Sequence, residues 1–359
     1  MDPVNVMEYE RLAREQTEPS AWDYIAGGAD DEITLEENRA AFRRLHLRPR
    51  MLIDVSRVET AVDVLGTRIS FPAIVAPTAF QVLAHPDGEC ATARGTARAG
   101  TIMTVSTLAS QTLEEVAAAA SGPKWFQLYC YREREVTQRL IKRAERAGYT
   151  AVCMTVDVPR LGRRERDVRN HFAFPPGVIP KNFADVADLQ SVAEKDRSSQ
   201  LTAYVAGLLD SSLTWDDVTW IKSLTDLPLI VKGVLTAEDA ELAVDHGVEG
   251  IVVSNHGGRQ LDGVSATIDV LPEVMSVVGG RATVLMDGGI RRGTDIVKAL
   301  ALGAQAVLVG RPILWGLAVT GDAGVRRVLD MLKTEFELAM ALCGAPDPAA
   351  LGPDHVKRP

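Results

Sequence analysis

Eight short apolar runs, each leading into polar residues, set the tightest limit on how this chain can fold. They cover residues 73–77, 102–106, 125–129, 151–155, 228–232, 250–254, 283–287 and 306–310. Each is too short for a helix and rich in β-branched or bulky apolar side chains, as a buried parallel strand requires. Between most of them lie amphipathic stretches, such as 132–147, 236–246 and 292–302. Gly100, Gly148, Gly247 and Gly303 stand where such helices would end, because a left-handed cap favours glycine. Eight β-α units in succession predict an α/β protein, a closed (β/α)8 barrel of the TIM type, with a doubly wound open sheet as the second arrangement.

The 359 residues suit a single barrel domain with extensions, and 46% hydrophobic content is enough for its core. Residues 1–70 carry expected helices at 4–16 and 31–44 and read as an N-terminal helical cap or closure. The barrel would occupy 71–320, and a C-terminal helix and tail 321–359. A polar, weakly periodic insertion after the fourth strand, 175–212, opens with Pro175-Pro176-Gly177 and reads as a lid or as a plain surface loop. The net charge of −9 argues against nucleic acid or an anionic membrane as partner. The arginines of 160–169 are interrupted by Glu165 and Asp167, which makes a mixed-charge face. Cys90, Cys130, Cys153 and Cys343 are scattered, and no secretory signal, membrane-spanning run or Ser-Lys-Leu terminus is visible. A cytoplasmic protein with reduced thiols is the simplest expectation.

Polar residues gather at the expected C-terminal ends of nearly all eight strands: Thr78; Ser106; Gln127 with Tyr129; Thr155 with Asp157; Lys232; Ser254 with His256 and Arg259; Asp287 with Arg291; and Arg311. In a barrel these ends ring one mouth, where the active site lies. The richest stretch is Ser254-Asn255-His256-Gly257-Gly258-Arg259-Gln260-Leu261-Asp262-Gly263. An imidazole takes a proton near neutral pH, and a guanidinium clamps a carboxylate through two parallel hydrogen bonds. Together they suggest a base acting on a substrate that carries its own carboxylate. His256 alone would be an ordinary solvated histidine; a neighbouring Asp157 would orient it, and sequence does not supply that distance.

The last two strands run into Asp287-Gly288-Gly289-Ile290-Arg291 and Gly310-Arg311. Glycines opening a helix expose backbone N–H groups to an anion, and this is the usual phosphate site of such barrels. The dinucleotide fingerprint, the Walker loop and paired metal-ligand motifs are all absent from the sequence. A mononucleotide such as FMN fits a single phosphate site. Ser106, Gln127 and Thr155 would be free for a ring edge, and Lys232 could place a positive charge beside it. Taken alone, Lys232 reads better as a lysine snorkelling from a strand end.

The chain resembles the FMN-dependent (S)-2-hydroxy acid oxidase and dehydrogenase family, which includes glycolate oxidase, lactate oxidase and mandelate dehydrogenase. The likeness runs from Trp22-Asp23-Tyr24 through Phe42, Pro49-Arg50 and Ala76-Pro77-Thr78-Ala79 to Gly310-Arg311. It is strongest in the stretch from Ser254 to Gly263 and in Asp157-Val158-Pro159-Arg160-Leu161-Gly162-Arg163-Arg164-Glu165. Within the family the chain is most similar to the 4-hydroxymandelate oxidases.

The resemblance implies that His256 is the base and Asp157 orients it. Tyr24, Arg164 and Arg259 would hold the substrate carboxylate and Tyr129 its hydroxyl. Pro77, Thr78, Ala79, Ser106, Gln127, Thr155 and Ser254 would contact the flavin, Lys232 its N1–O2 edge, and Asp287 the ribityl chain. Gly289, Arg291, Gly310 and Arg311 would hold the phosphate. Where glycolate oxidase has a tryptophan, this chain has Leu108, which implies a larger apolar pocket suited to an aryl or long alkyl substrate. Phe80 replaces a frequent methionine, and Ala79 is the residue common among oxidases.

The expected reaction is oxidation of an (S)-2-hydroxy acid, mandelate or 4-hydroxymandelate, to the 2-oxo acid with oxygen reduced to hydrogen peroxide. The proton taken by His256 comes from Cα or from the hydroxyl, and both remain open. The alternatives are a dehydrogenase feeding a quinone, an oxidase of lactate, glycolate or long-chain hydroxy acids, a flavin-dependent isomerase and a non-catalytic flavin barrel. Arg164 and Arg259 argue against the isomerase, which needs no carboxylate clamp. Relatives are often tetramers, so a homo-oligomer is expected.

Overall fold

In a computed structural model, residues 2–175, 177–183 and 208–358 are described. The eight expected strands form, as β1 (Ala73–Val75), β2 (Met103–Ser106), β3 (Lys124–Leu128), β4 (Ala151–Thr155), β5 (Leu229–Val234), β6 (Gly250–Val253), β7 (Thr283–Met286) and β8 (Ala306–Val309). They pair in parallel and close into a barrel, with β8 returning to β1 through Val307 opposite Ala73 and Val309 opposite Val75. The open-sheet alternative is thereby excluded.

Both faces of each strand are buried, which explains why the runs read as continuously apolar. Ala151 and Cys153 of β4, Val252 of β6 and Leu308 of β8 point into the barrel; Val152, Met154, Ile251, Val253 and Val307 pack outward against the helical layer. This two-residue alternation is the barrel's inside–outside code.

The N-terminal 70 residues serve both ends of the barrel. At the bottom, Val62–Val64 and Thr67–Ile69 form a hairpin whose turn, Leu65-Gly66, has positive φ at both residues. Its Val62, Val64 and Ile69 join the interior cluster with Trp125, Ile230 and Leu285, so the hairpin plugs that end. Near the mouth lie three helices, α1 (Val6–Gln16), α2 (Pro19–Ala26) and α3 (Ile33–Arg44). The sequence reading had no α2, although Glu18 caps it by accepting from the Ser20 and Ala21 N–H groups and Pro19 opens its first turn.

No local side chain caps α3. Instead Asp262, from the loop after β6, accepts from the N–H groups of Ile33 (3.2 Å) and Thr34 (2.7 Å). The helix after β8, Arg311–Cys343, breaks at Thr320 and Gly321, where Gly321 has φ +61°. The portion beyond the break packs on α1 and on the helix Gly88–Ala99. Much of the expected lid, at 176 and 184–207, lies outside the described residues. No helix among the described residues is long and apolar enough to cross a membrane.

Candidate active site

A cavity of about 1160 Å³, counted out to its mouth, opens at the C-terminal ends of the strands. Every residue singled out from the sequence as a site residue lines it except Asp157 and Ser254, and Phe80 too lies outside it. Asp157 stands behind His256. Ser254 is fully buried, and its hydroxyl accepts from Lys232 Nζ (2.9 Å) and from the His256 N–H (3.1 Å). Ser254 thus supports Lys232 and His256 from beneath.

His256 follows β6 in a left-handed turn. His256, Gly257 and Gly258 have φ of 57°, 65° and 75°. A β-carbon on Gly258 would come within 2.6 Å of the Leu35 backbone nitrogen, so α3 presses directly on this turn. The histidine has no such freedom, and its conformation is held by its surroundings. Its Nδ1 lies 2.8 Å from Asp157 Oδ1.

Burial lowers the imidazole below its ordinary value; Asp157 pulls the other way, and Lys232 adds to the lowering. Burial alone would raise the Asp157 carboxyl, but His256, its hydrogen bond and Lys232 outweigh it and hold the group below the usual carboxylate range. An ionised Asp157 facing a neutral imidazole fixes the proton on Nδ1 and leaves Nε2 as a base.

Arg164, Arg259 and Tyr24 gather on the same cavity. Both guanidinium carbons approach the Tyr24 ring, at 6.0 Å for Arg164 and 5.1 Å for Arg259. Arg259 donates to the carbonyls of Tyr24 (2.7 Å) and Gly27 (2.9 Å), which fixes it to the end of α2. Burial, then the charge of Arg259, pushes Arg164 down to about 10. Its Nε is buried without a hydrogen-bond partner. A buried guanidinium, Arg164, beside the half-buried Arg259 makes a receptor for a carboxylate. Tyr129 lines the cavity beside them, and burial followed by the Asp157 charge raises its phenol, which therefore stays protonated and able to donate.

At the other end, Lys232 Nζ pairs with Asp287 Oδ2 at 3.1 Å. Burial would lower the ammonium, but Asp287 and Asp157 raise it above the ordinary lysine value, so it carries its charge. Arg291 lies 4.8 Å over the Trp315 ring, and burial with Arg39 nearby lowers it to about 10. Arg311 spends three donors on the carbonyls of Ile25 (3.2 Å), Gly257 (2.9 Å) and Gly27 (2.8 Å), and so ties α2 to the His256 turn.

With Arg164 Nε, five buried side-chain atoms on this cavity have no partner, the others being Gln127 Nε2, Thr155 Oγ1, Asp287 Oδ1 and Arg291 Nε. Leaving a buried polar group unpaired costs about 1–3 kcal/mol, so such a set calls for a polar ligand. Gln127 is already oriented, because its Oε1 accepts from Ser106 Oγ (3.2 Å) and the Thr107 N–H (3.2 Å), turning the amide donor toward the cavity. Gly289 approaches α3 so closely that a β-carbon would sit 2.0 Å from the Asn38 carbonyl oxygen. The donors, the acceptors and the arginine end fit FMN.

Sequence reasoning missed Val158 and Leu161, which with Leu108 are among the apolar residues of the lining. Both lie inside the Asp157 motif, and that was their only signal. Phe80 does not line the cavity. It is buried behind Tyr24 in an aromatic cluster with Phe172 and Phe174, and Tyr24 stacks on Phe172 at 4.9 Å.

Residues 13–358 match the family described as FMN-dependent dehydrogenase. Glycolate oxidase 3 of Arabidopsis thaliana is 54% identical over 357 residues, spanning 99% of this chain and 96% of that protein. The glycolate oxidase of Spinacia oleracea is 52% identical over 356 residues, spanning 99% and 96%. A solved structure of mandelate oxidase with (S)-4-hydroxymandelic acid superposes with a TM-score of 0.94 at 44% identity, covering 99% of this chain and 98% of that one.

Proposed function

The chain belongs to the FMN-dependent dehydrogenase family, and from that premise we propose that it oxidises an (S)-2-hydroxy acid with a bulky apolar side chain, mandelate or 4-hydroxymandelate, to the 2-oxo acid. It is an FMN-dependent 2-hydroxy acid oxidase, and FMN supplies the two-electron acceptor when bound. Oxygen, reduced to hydrogen peroxide, is the final acceptor in this reading, in keeping with relatives that are named oxidases.

The observation that carries the proposal is the Asp157–His256 pair at 2.8 Å, set on one cavity with Arg164, Arg259 and Tyr129. Arg164, Arg259 and Tyr24 hold the substrate carboxylate, which supplies a close anion to the buried Arg164 and the half-buried Arg259 beside it. Tyr129 donates to the substrate hydroxyl. His256 Nε2 takes the proton, and Asp157 stabilises the imidazolium that results.

Gln127, Thr155, Ser106 and the chain from Pro77 to Ala79 would hold the flavin ring, and Lys232 its N1–O2 edge. Asp287 would meet the ribityl chain; Gly289, Arg291, Gly310 and Arg311 would hold the phosphate. Leu108, Val158 and Leu161 would receive the substrate side chain and favour an apolar group.

Glycolate is the second reading, supported by the higher identity to the plant glycolate oxidases. Mixing the enzyme anaerobically with mandelate, 4-hydroxymandelate, lactate and glycolate and following flavin bleaching separates the two. The first reading expects the aryl acids to give the highest rate constant over KM, and fastest bleaching by glycolate would overturn it. Admitting air should restore the yellow colour within the turnover time. In His256→Ala, FMN should stay bound while bleaching slows about 10²- to 10⁴-fold.

The same reading makes the protein cytoplasmic, in keeping with four free cysteines, three of them buried. It also makes it a homotetramer, in keeping with the exposed apolar side chains of Met51, Leu52, Leu338 and Leu342.

A further inference from the structure

Gln260 belongs to the motif after β6 but takes no part in the chemistry above. It is buried, with 7% of its surface exposed, and its side-chain amide is fully engaged across two loops. Its Nε2 donates to the carbonyls of Asp157 (2.8 Å) and Arg160 (2.9 Å), and its Oε1 accepts from the Gly162 N–H (3.0 Å). All three partners lie on the loop after β4, which carries Asp157, whereas Gln260 lies on the loop that carries His256.

The two loops touch so closely at this point that a β-carbon on Gly162 would sit 2.6 Å from the carbonyl oxygens of both Arg259 and Gln260. Between their own side chains the pair has one tie. His256 and Asp157 are 99 residues apart and meet through a single hydrogen bond. Arg259, by contrast, has its own anchors on the carbonyls of Tyr24 and Gly27.

We infer that Gln260 is a positioning residue: its amide clamps the Asp157 loop to the His256 loop and so sets the alignment of the carboxylate–imidazole pair. Three hydrogen bonds to backbone fix one loop directly against the other, where the side-chain pair supplies one. A misplacement of about 1 Å at a reacting group costs on the order of 10²-fold in rate. Because Arg259 is anchored independently, the loss should fall on turnover more than on substrate binding. The inference rests on the reading of His256 as the base.

The test compares Gln260→Met, which keeps length and bulk but none of the hydrogen bonds, and Gln260→Glu, which keeps the acceptor for Gly162 and removes both donors. Each is made in the wild-type and Asp157→Asn backgrounds of the FMN-loaded enzyme. The expected result is a fall in kcat of about 100-fold for either variant with KM within about threefold and FMN retained in full. In the Asp157→Asn background the same changes should cost less than about fivefold, since the pair they align is already broken.

Wild-type kcat in both variants, or equal losses in both backgrounds, would overturn the inference. Should Gln260→Met not fold, Gln260→Glu decides by the same criteria. If Asp157→Asn alone left kcat unchanged, the reading of the pair itself would fail, which is a distinct outcome.

Discussion

At the scale of single residues, the neutral state of His256 is set by competition between burial and the Asp157 charge, and burial prevails. A base is competent when unprotonated, so kcat/KM should be flat through neutral pH and fall only as pH drops through the depressed imidazole value. Replacing Asp157 by Asn removes the one strong influence that raises the imidazole. The acid limb should then move to lower pH while the plateau falls, and a limb that moved upward would contradict this account. Leu108 lines the same pocket, and the proposed function gives it the control of substrate size. Leu108→Trp should lower kcat/KM for mandelate by at least about tenfold relative to glycolate, because an indole would occupy the space of the aryl ring.

Most of these residues were legible because strand ends announce themselves: an apolar run stops and a polar side chain begins. Ser254 fits that pattern and shares its face with Val252, yet its hydroxyl is taken up by Lys232 and the His256 N–H, which strand alternation does not forecast. Phe80 was legible as an aromatic but not as a backing for Tyr24. Its φ of +52° turns it away from the cavity, and no propensity forecasts that. Gln260 carried no signal of its own, because its partners are backbone atoms about 100 residues away.

At the scale of elements, the loop after β6 does more than carry His256. Asp262 caps α3, Thr34 Oγ1 accepts from the N–H groups of Gly263 (2.9 Å) and Val264 (3.2 Å), and Asn38 and Asn255 exchange amide hydrogen bonds at 2.9 and 2.8 Å. The motif and the third helix thus form one unit, with α3 pressing on both the His256 turn and the Gly289 turn. Asp262→Ala should cost about 1 kcal/mol of stability, as the loss of a helix cap does. It should also weaken FMN retention, measured as flavin released on dilution; unchanged retention would separate the cap from the cofactor site. The barrel strands were readable at this scale because each is buried on both faces. The hairpin Val62–Ile69 was not, because strands of three residues show too little alternation to stand out. The helix α2 escaped for a similar reason, as eight residues hold barely two turns.

At the scale of the whole molecule, buried cations outnumber their anionic partners at one end of the cavity. Burial lowers Arg291 and Arg311, and the nearby arginines lower them further. An anion bound there relieves both, so cofactor and stability are linked. Removing FMN should lower Tm, and adding the cofactor at 100 times its Kd should restore about 2.7 kcal/mol. Inorganic phosphate should recover part of that shift, and chloride at equal ionic strength much less. A Tm indifferent to FMN would mean that the arginine end does not hold the phosphate.

The hairpin packed into the foot of the barrel has a consequence for traffic. Among the described residues it closes the lower end of the barrel, so under the proposed reaction hydroxy acid and keto product would share the opening at the strands' C-terminal ends. Arrivals and departures must take turns there, so the keto acid should compete directly with fresh substrate, and the pace at which the threshold clears becomes part of the enzyme's working speed.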